Sequence, residues 1–295
     1  MRIASLPAGA TEIVCALGLE DELVAVGHDS DWPPSVRDLP ALTTPLTPAP
    51  GSPGAALACR VQEAALRAAD PDLVLLGEGC PAGRPAAARQ HLAELLPGAA
   101  IVALEPVTME GLFNAVTTVG AMAEAEDEAV GLVELLRERL LALEDRARAR
   151  REEGRPARRT AVVRWLEPLH AAGEWVPELV RLAGGWELLG REGETAAPAD
   201  WAALRDLDPD VVIVAPAGMH LPAALRAWRA TPRPAWWGEL TAVRQGEVFA
   251  VDAAYLDRVG PRLVDGVAVL AELLDPAAFA GAAPPDAWAR LAPAP

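Results

Sequence analysis

Asp-Pro-Asp occurs twice in this chain, at 70–72 and at 208–210. Each copy follows an Ala/Leu/Arg-rich stretch of helical composition. Each runs straight into an apolar segment, Leu73-Val-Leu-Leu76 in one and Val211-Val-Ile-Val214 in the other. Proline lacks an amide donor and biases the preceding residue away from the helix, so each copy ends a helix and turns the chain into a buried strand. One helix–turn–strand unit used twice constrains the fold to two similar α/β halves.

The remaining pattern agrees. Strands are expected at Arg2–Leu6, Leu23–His28, Leu73–Gly77 and Ile101–Glu105, with helical stretches between most of them, as parallel α/β units require. A helix begins at Thr11 and stops at Gly18, and residues 40–56, rich in Pro and Thr, read as a loop. In the second half, strands are expected at Thr160–Leu166, His170–Gly173, Val211–Pro216 and Glu247–Asp252. Between the halves, one helix runs from Thr108 to about Ala123 and another from about Glu126 to Arg151. The latter carries Val130, Val133, Leu136, Leu140 and Leu143 on one face and would be about 39 Å long. It could brace two lobes or simply lie on the surface as an amphipathic helix. Acidic residues at its start and Arg148, Arg150 and Arg151 at its end complement its dipole. The expected organisation is an N-terminal lobe over 1–123, a linking helix over 124–155, a C-terminal lobe over 156–280 and a loosely packed Ala/Pro-rich tail over 281–295.

The net charge of −16 opposes nucleic-acid binding, because an acidic chain repels phosphate backbones. Every basic residue is Arg and none is Lys, as a GC-rich genome would produce. The three cysteines, Cys15, Cys59 and Cys80, lack paired spacing, which suits a reducing compartment better than a disulfide framework. Cys15 sits in an apolar helix, and Cys80 lies in a Gly-rich loop where a reactive thiol is one reading. The chain opens on a strand with no secretory leader, and no apolar run reaches the roughly 18 residues of a spanning helix. A cytoplasmic location is therefore expected as written, or a periplasmic or extracellular one if a leader has been removed. No membrane insertion is expected.

Patterns for phosphate loops, dinucleotide loops, nucleophile elbows and zinc proteases are absent. The four histidines show no metal-ligand spacing, so core or solvated histidines are the simpler reading. His28 and His170, at strand ends, are weak metal candidates. The nine Trp are more informative against three Phe and one Tyr. Trp32, Trp165, Trp175 and Tyr255 fall at strand ends or in loops, where flat rings can stack on a planar ligand. Trp186, Trp201, Trp228 and Trp288 are expected to cap local cores. Glu78 and Glu105 follow strands of the first lobe and could accept hydrogen bonds from ligand amides, or serve as caps or surface carboxylates. Arg258 could bind a ligand or pair with Asp257.

Five segments carry a family resemblance: Ser5-Leu-Pro-Ala-Gly-Ala-Thr-Glu-Ile-Val14, His28-Asp-Ser-Asp-Trp-Pro-Pro34, Trp165-Leu-Glu-Pro-Leu169, Gly173-Glu-Trp-Val-Pro-Glu-Leu-Val180 and Gly260-Pro-Arg-Leu-Val-Asp-Gly266. Over residues 2 to 279 the chain resembles cobalamin-binding proteins. These belong to the helical-backbone (class III) substrate-binding proteins, which serve importers of cobalamin, siderophores and haem. The resemblance implies two Rossmann-like α/β lobes, a single backbone helix, little hinge closure and a ligand held between the lobes. It implies that Trp32, the Glu78–Gly79 loop, Trp165, Trp175, Tyr255 and Arg258 line the cleft; with Pro7 and Glu105 added, these form the expected ligand-binding set. No catalytic residue and no required cofactor follow from it, and the ligand it implies is a corrinoid such as cobalamin.

Two departures weigh against plain import. No leader is expected from the opening residues as written. The exposed Glu that family members tend to carry on each lobe, for docking to an ABC permease, is not evident in Arg84-Pro-Ala-Ala-Ala-Arg-Gln90 or Asp200-Trp-Ala-Ala203. An intracellular carrier or sensor is one reading. Haem, siderophore or other metal-chelate binding for an importer is the alternative, and a corrinoid-modifying or chelatase-like enzyme is a third.

Overall fold

A computed structural model describes residues 1–46, 57–77 and 85–291. The N-terminal lobe holds a parallel sheet of β1 (Ile3–Ser5), β2 (Leu23–Val26), β5 (Leu73–Gly77) and β6 (Ala100–Leu104), in the order β2-β1-β5-β6. The C-terminal lobe is built on β7 (Arg158–Leu166), β10 (Val211–Val214) and β11 (Val248–Val251), also parallel, in the order β7-β10-β11. Beside β7 lie β8 (Leu169–Ala171), antiparallel to it, and β9 (Gly185–Glu187), parallel to it.

The Asp-Pro-Asp repeat is a repeat of structure. Helix α2 (Glu63–Ala69) ends on Asp70 and helix α7 (Trp201–Leu207) on Asp208, both in the left-handed conformation, with φ 44° and 39°. Asp tolerates that conformation better than most residues. The third residue of each copy then captures the start of the neighbouring strand. Asp72 Oδ2 accepts from the Arg2 amide at 2.8 Å, and Asp210 Oδ2 from the Arg159 amide at 2.9 Å. The two arginines reach back over the helix ends. Arg2 donates to the carbonyls of Ala69 and Asp70, and Arg159 to those of Leu207 and Asp208.

Helix α4 (Met109–Met122), capped by the Thr108 hydroxyl, leads into α5 (Glu126–Glu152), about 40 Å long. Helix α5 touches both lobes. Arg137 pairs with Glu110 on α4 at 2.7 Å, and Arg139 pairs with Asp265 on α11 (Arg262–Leu274) at 2.5 Å. Its inward face is Ala129, Leu136, Leu140 and Ala147; Val130, expected inside, is 56% exposed. Leu136 and Leu140 face in as expected and Val133 and Leu143 pack half-buried on the core; only the first turn departs, because there Ala129 meets Gly120 where α4 and α5 cross.

Other expectations need correction. The loop expected over 40–56 begins with β3 (Thr43–Pro45), which pairs with β4 (Cys59–Val61). The first helix, α1 (Ala8–Ala16), starts three residues before Thr11. The Ala/Pro-rich end contributes β12 (Trp288–Arg290), antiparallel to β11, with Trp288 edge-on to Phe249. Trp186, expected in a local core, is 64% exposed, because alternation along β9 turns Glu187 inward instead. Trp201, Trp228 and Trp237 do form an edge-to-face cluster. Cys59 is buried and disulfide-bonded while Cys15 is free, which departs from the expected absence of a disulfide framework. Burial pushes the Cys15 thiol up to about 12. Among the described residues, no helix is long and apolar enough to cross a membrane.

Candidate functional site

The carboxyl ends of β1, β2 and β5 face those of β7 and β10 across a cavity of ≈ 470 Å³, a size that suits a small-molecule site. Loops at such strand ends are the usual place for α/β ligands. Two glycines let the lobes meet beside it. A side chain at Gly9 on α1 would strike the backbone of Val259, and one at Gly260 would strike Glu12 and the carbonyl of Gly9. The small-residue loops after β1 and before α11 are therefore opposite halves of one contact.

Charge reinforces that contact. Asp31, from the first lobe, pairs with Arg258 and with His220 Nε2 (3.0 Å) from the second. Arg258 also donates to the carbonyl of Asp29 at 3.1 Å. His220 Nδ1 lies 3.1 Å from Asp252, so both ring nitrogens are engaged. Arg262 on α11 donates to Glu12 at 2.5 Å, and its guanidinium lies between Trp32 (5.5 Å) and Tyr255 (5.7 Å). Burial raises the Glu12 carboxyl despite Arg262, and its Oε2 has no hydrogen-bond partner among the described residues. Burial opposes the Asp31 charge too, but there Arg258, His220 and Arg262 prevail and hold the carboxyl low.

The cavity floor holds a second pair. Arg164, near the end of β7, is 5% exposed, forms an ion pair with Asp257 and donates to the carbonyl of Ala215 at 2.9 Å. Burial pushes its guanidinium down to about 10. Asp257 also accepts from the amide of Gly218 at 2.7 Å. Among the described residues, four carboxylates (Asp29, Asp31, Glu174, Asp257) and two guanidiniums (Arg164, Arg258) line the space, so this part of the lining is net acidic.

Pro7, Trp175, Arg258 and His28 all line this cavity. Trp175 is held by its indole N–H, which donates to the carbonyl of Leu256 at 2.7 Å. Trp32 is 49% exposed and, like Tyr255, flanks Arg262 outside the lining. Trp165 lies outside the lining and donates to the carbonyl of Glu167. Glu105 is exposed, although its neighbours Leu104 and Pro106 reach the cavity. His170 is buried with Nδ1 on the carbonyl of Pro168, away from the cavity. Glu78, Gly79 and Cys80 lie outside the described residues. Among the described residues, no three acidic, Cys or His side chains are grouped to hold a metal. Sequence reading missed Glu12, Asp31, Arg164 and His220. Two of them carried a signal: a lone Glu inside Ala-Thr-Glu-Ile-Val, and a lone Arg in the apolar run Ala161-Val-Val-Arg-Trp-Leu166.

A family profile described as "Periplasmic binding protein" matches residues 3–255. The chain belongs to the periplasmic binding protein family. Its two lobes and single backbone helix are the class III form of that fold. Among curated relatives, this binding protein is 26% identical over 276 residues to the vitamin B12-binding protein of Vibrio cholerae, covering 90% of this chain and 86% of that one. It is 23% identical to an uncharacterized ABC transporter substrate-binding lipoprotein of Bacillus subtilis, covering 94% and 81%. Among solved structures, it resembles a periplasmic heme binding protein from Pseudomonas aeruginosa, with a TM-score of 0.75, 25% identity and 94% and 93% coverage. The Vibrio cholerae vitamin B12 binding protein matches with a TM-score of 0.71 at 24% identity, covering 94% and 97%, a likeness of fold.

Proposed function

We propose that this binding protein holds a corrinoid of the cobalamin type between its lobes, without catalysing a reaction on it. The observation that carries the reading is the acidic lining. A corrin carries peripheral amides, whose N–H groups are good donors to Asp29, Glu174 and Asp257, while Arg164 and Arg258 can donate to amide oxygens. Haem instead carries two propionates, which the net acidic lining would oppose. Trp175, though only 4% exposed, adds a fixed aromatic group to the cavity wall. Trp32 and Tyr255, both close to Arg262, would form the rim; Glu78, Gly79 and Trp165 remain binding candidates by resemblance, and Glu105 as a carboxylate at a strand end. The vitamin B12-binding relative supports the same ligand.

We infer an extracytoplasmic setting rather than an intracellular carrier or sensor. A disulfide at Cys59 persists best in an oxidising compartment, and the family and the lipoprotein relative are consistent with delivery to an ABC permease. Isothermal titration with cyanocobalamin tests the ligand. Binding at least ten-fold tighter than haemin supports the reading. No heat and no co-elution of red colour at high micromolar protein overturns it.

One observation favours haem as a second reading. His28 lines the cavity with Nδ1 held by the Thr43 hydroxyl at 2.7 Å, which leaves Nε2 to meet an iron. A Soret shift on haem addition, abolished in His28→Ala, would support it.

A further inference from the structure

Seven arginines crowd residues 146–159, at 146, 148, 150, 151, 155, 158 and 159, in a chain of net charge −16. Ligand binding in the cleft makes no use of them. Five are occupied. Arg146 lies over the Phe279 ring, Arg148 pairs with Asp145, and Arg150 pairs with Asp275 and Glu153. Arg158 pairs with Glu247, and Arg159 clamps the Asp208 turn. Arg151 and Arg155 form no ion pair and no side-chain hydrogen bond among the described residues. These two face one cavity.

That cavity measures ≈ 450 Å³, about as large as the cleft, and opens at the other edge of the C-terminal sheet, where β7 and β9 begin. Its interior wall is apolar, from Leu274, Phe279 and Ala183. Arg155 is brought there by the end of α5. Its amide bonds to the carbonyl of Arg150, and that of Gly154, at φ +86°, bonds to the carbonyl of Arg151. This paired closure folds the chain back over the last turn and satisfies carbonyls that would otherwise repel an anion. Arg151 extends over Gly184, where φ +90° disfavours a side chain that would narrow the space.

The two acidic residues of the lining are spoken for. Arg150 holds the Asp275 carboxyl low against burial, with Arg155 contributing at longer range, and Asp210 accepts from the Arg159 amide. The lining holds four guanidiniums (Arg150, Arg151, Arg155, Arg158) against two carboxylates (Asp210, Asp275), a surplus of two positive charges beside an apolar wall. Arginine's planar fork matches carboxylate and phosphate geometry.

We propose that this cavity is a second ligand site, for a small molecule joining an oxyanion, phosphate or carboxylate, to an apolar body. The competing account is that Arg151 only complements the helix dipole. Titration of the intact protein at low ionic strength with phenyl phosphate, benzoate and inorganic phosphate separates the two. Phenyl phosphate should bind at least ten-fold tighter than inorganic phosphate, because only it uses the apolar wall. Comparison with benzoate tells which oxyanion is preferred. Affinity should fall at least ten-fold in Arg151→Ala/Arg155→Ala and in Arg155→Glu, which alters an exposed loop residue outside the helix and spares the fold. Arg148→Ala should bind like the parent, and saturating cyanocobalamin should not compete. Absence of binding by all three probes at millimolar concentration, or equal binding in Arg155→Glu, overturns the proposal.

Discussion

The cleft and the arginine cavity lie at opposite edges of the same sheet, and they handle charge in opposite ways. In the cleft each arginine among the described residues is matched: Arg164 by Asp257, Arg258 by Asp31, and Arg262 beside it by Glu12. At the far edge Arg151 and Arg155 are left over. Counting charges along the sequence would have ranked the arginine run first and missed the cleft. What distinguishes the two is which charges already have partners, and that is a property of the fold.

The strongest way to break the contrast is to unmatch a cleft arginine. Arg164→Met strands Asp257, which is 4% exposed, and should cost about 3–5 kcal/mol in urea unfolding. A loss under 1 kcal/mol would mean the pair is not holding the floor. Next comes a carboxylate with no ion pair among the described residues. Glu187 accepts from the amides of Val162, Leu189 and Gly190, yet burial outweighs them and lifts its carboxyl to about 7. The folded chain then keeps a proton that the unfolded chain has released above pH 4.5. Stability should therefore fall as pH rises from about 4.5 to 7, by on the order of 3 kcal/mol from this group. Glu187→Gln should flatten that part of the pH profile; an unchanged slope would assign it to other groups.

How much of this was legible beforehand depended on locality. The Asp-Pro-Asp turns, the Thr108 cap and helix α5 are written within a few residues each, so pattern sufficed. The Asp31–Arg258 pair joins residues 227 positions apart, and the Glu12–Arg262 pair 250 apart. Sequence can nominate such residues only by their oddity, as with a Glu in an apolar helix, and cannot name their partners. Trp186 failed for a related reason: a buried Glu on the next residue decided which way the strand faces.

Smaller effects sharpen the comparison. Asp31→Asn removes a shared partner of Arg258, Arg262 and His220, and should cost about 2 kcal/mol, read by denaturant unfolding, because the site is partly open to water. Corrinoid affinity should fall with it. Arg148→Ala breaks a pair whose side chains are 59% and 60% exposed, and should change stability by under about 0.5 kcal/mol. A larger loss would show that the arginine run has a structural duty beyond its free members.

The doubled clamp of arginine on Asp-Pro-Asp acts as a ruler laid from the far side. It fixes where β1, β5, β7 and β10 begin, and each strand advances about 3.3 Å per residue toward the cleft. The height of each cleft wall is therefore a count of residues from a clamp. One residue inserted between Asp72 and Gly77, or between Asp210 and Val214, would shift everything beyond it and swap inward for outward side chains. The binding surface can vary freely in its loops while its altitude stays set by two turns that never touch the ligand.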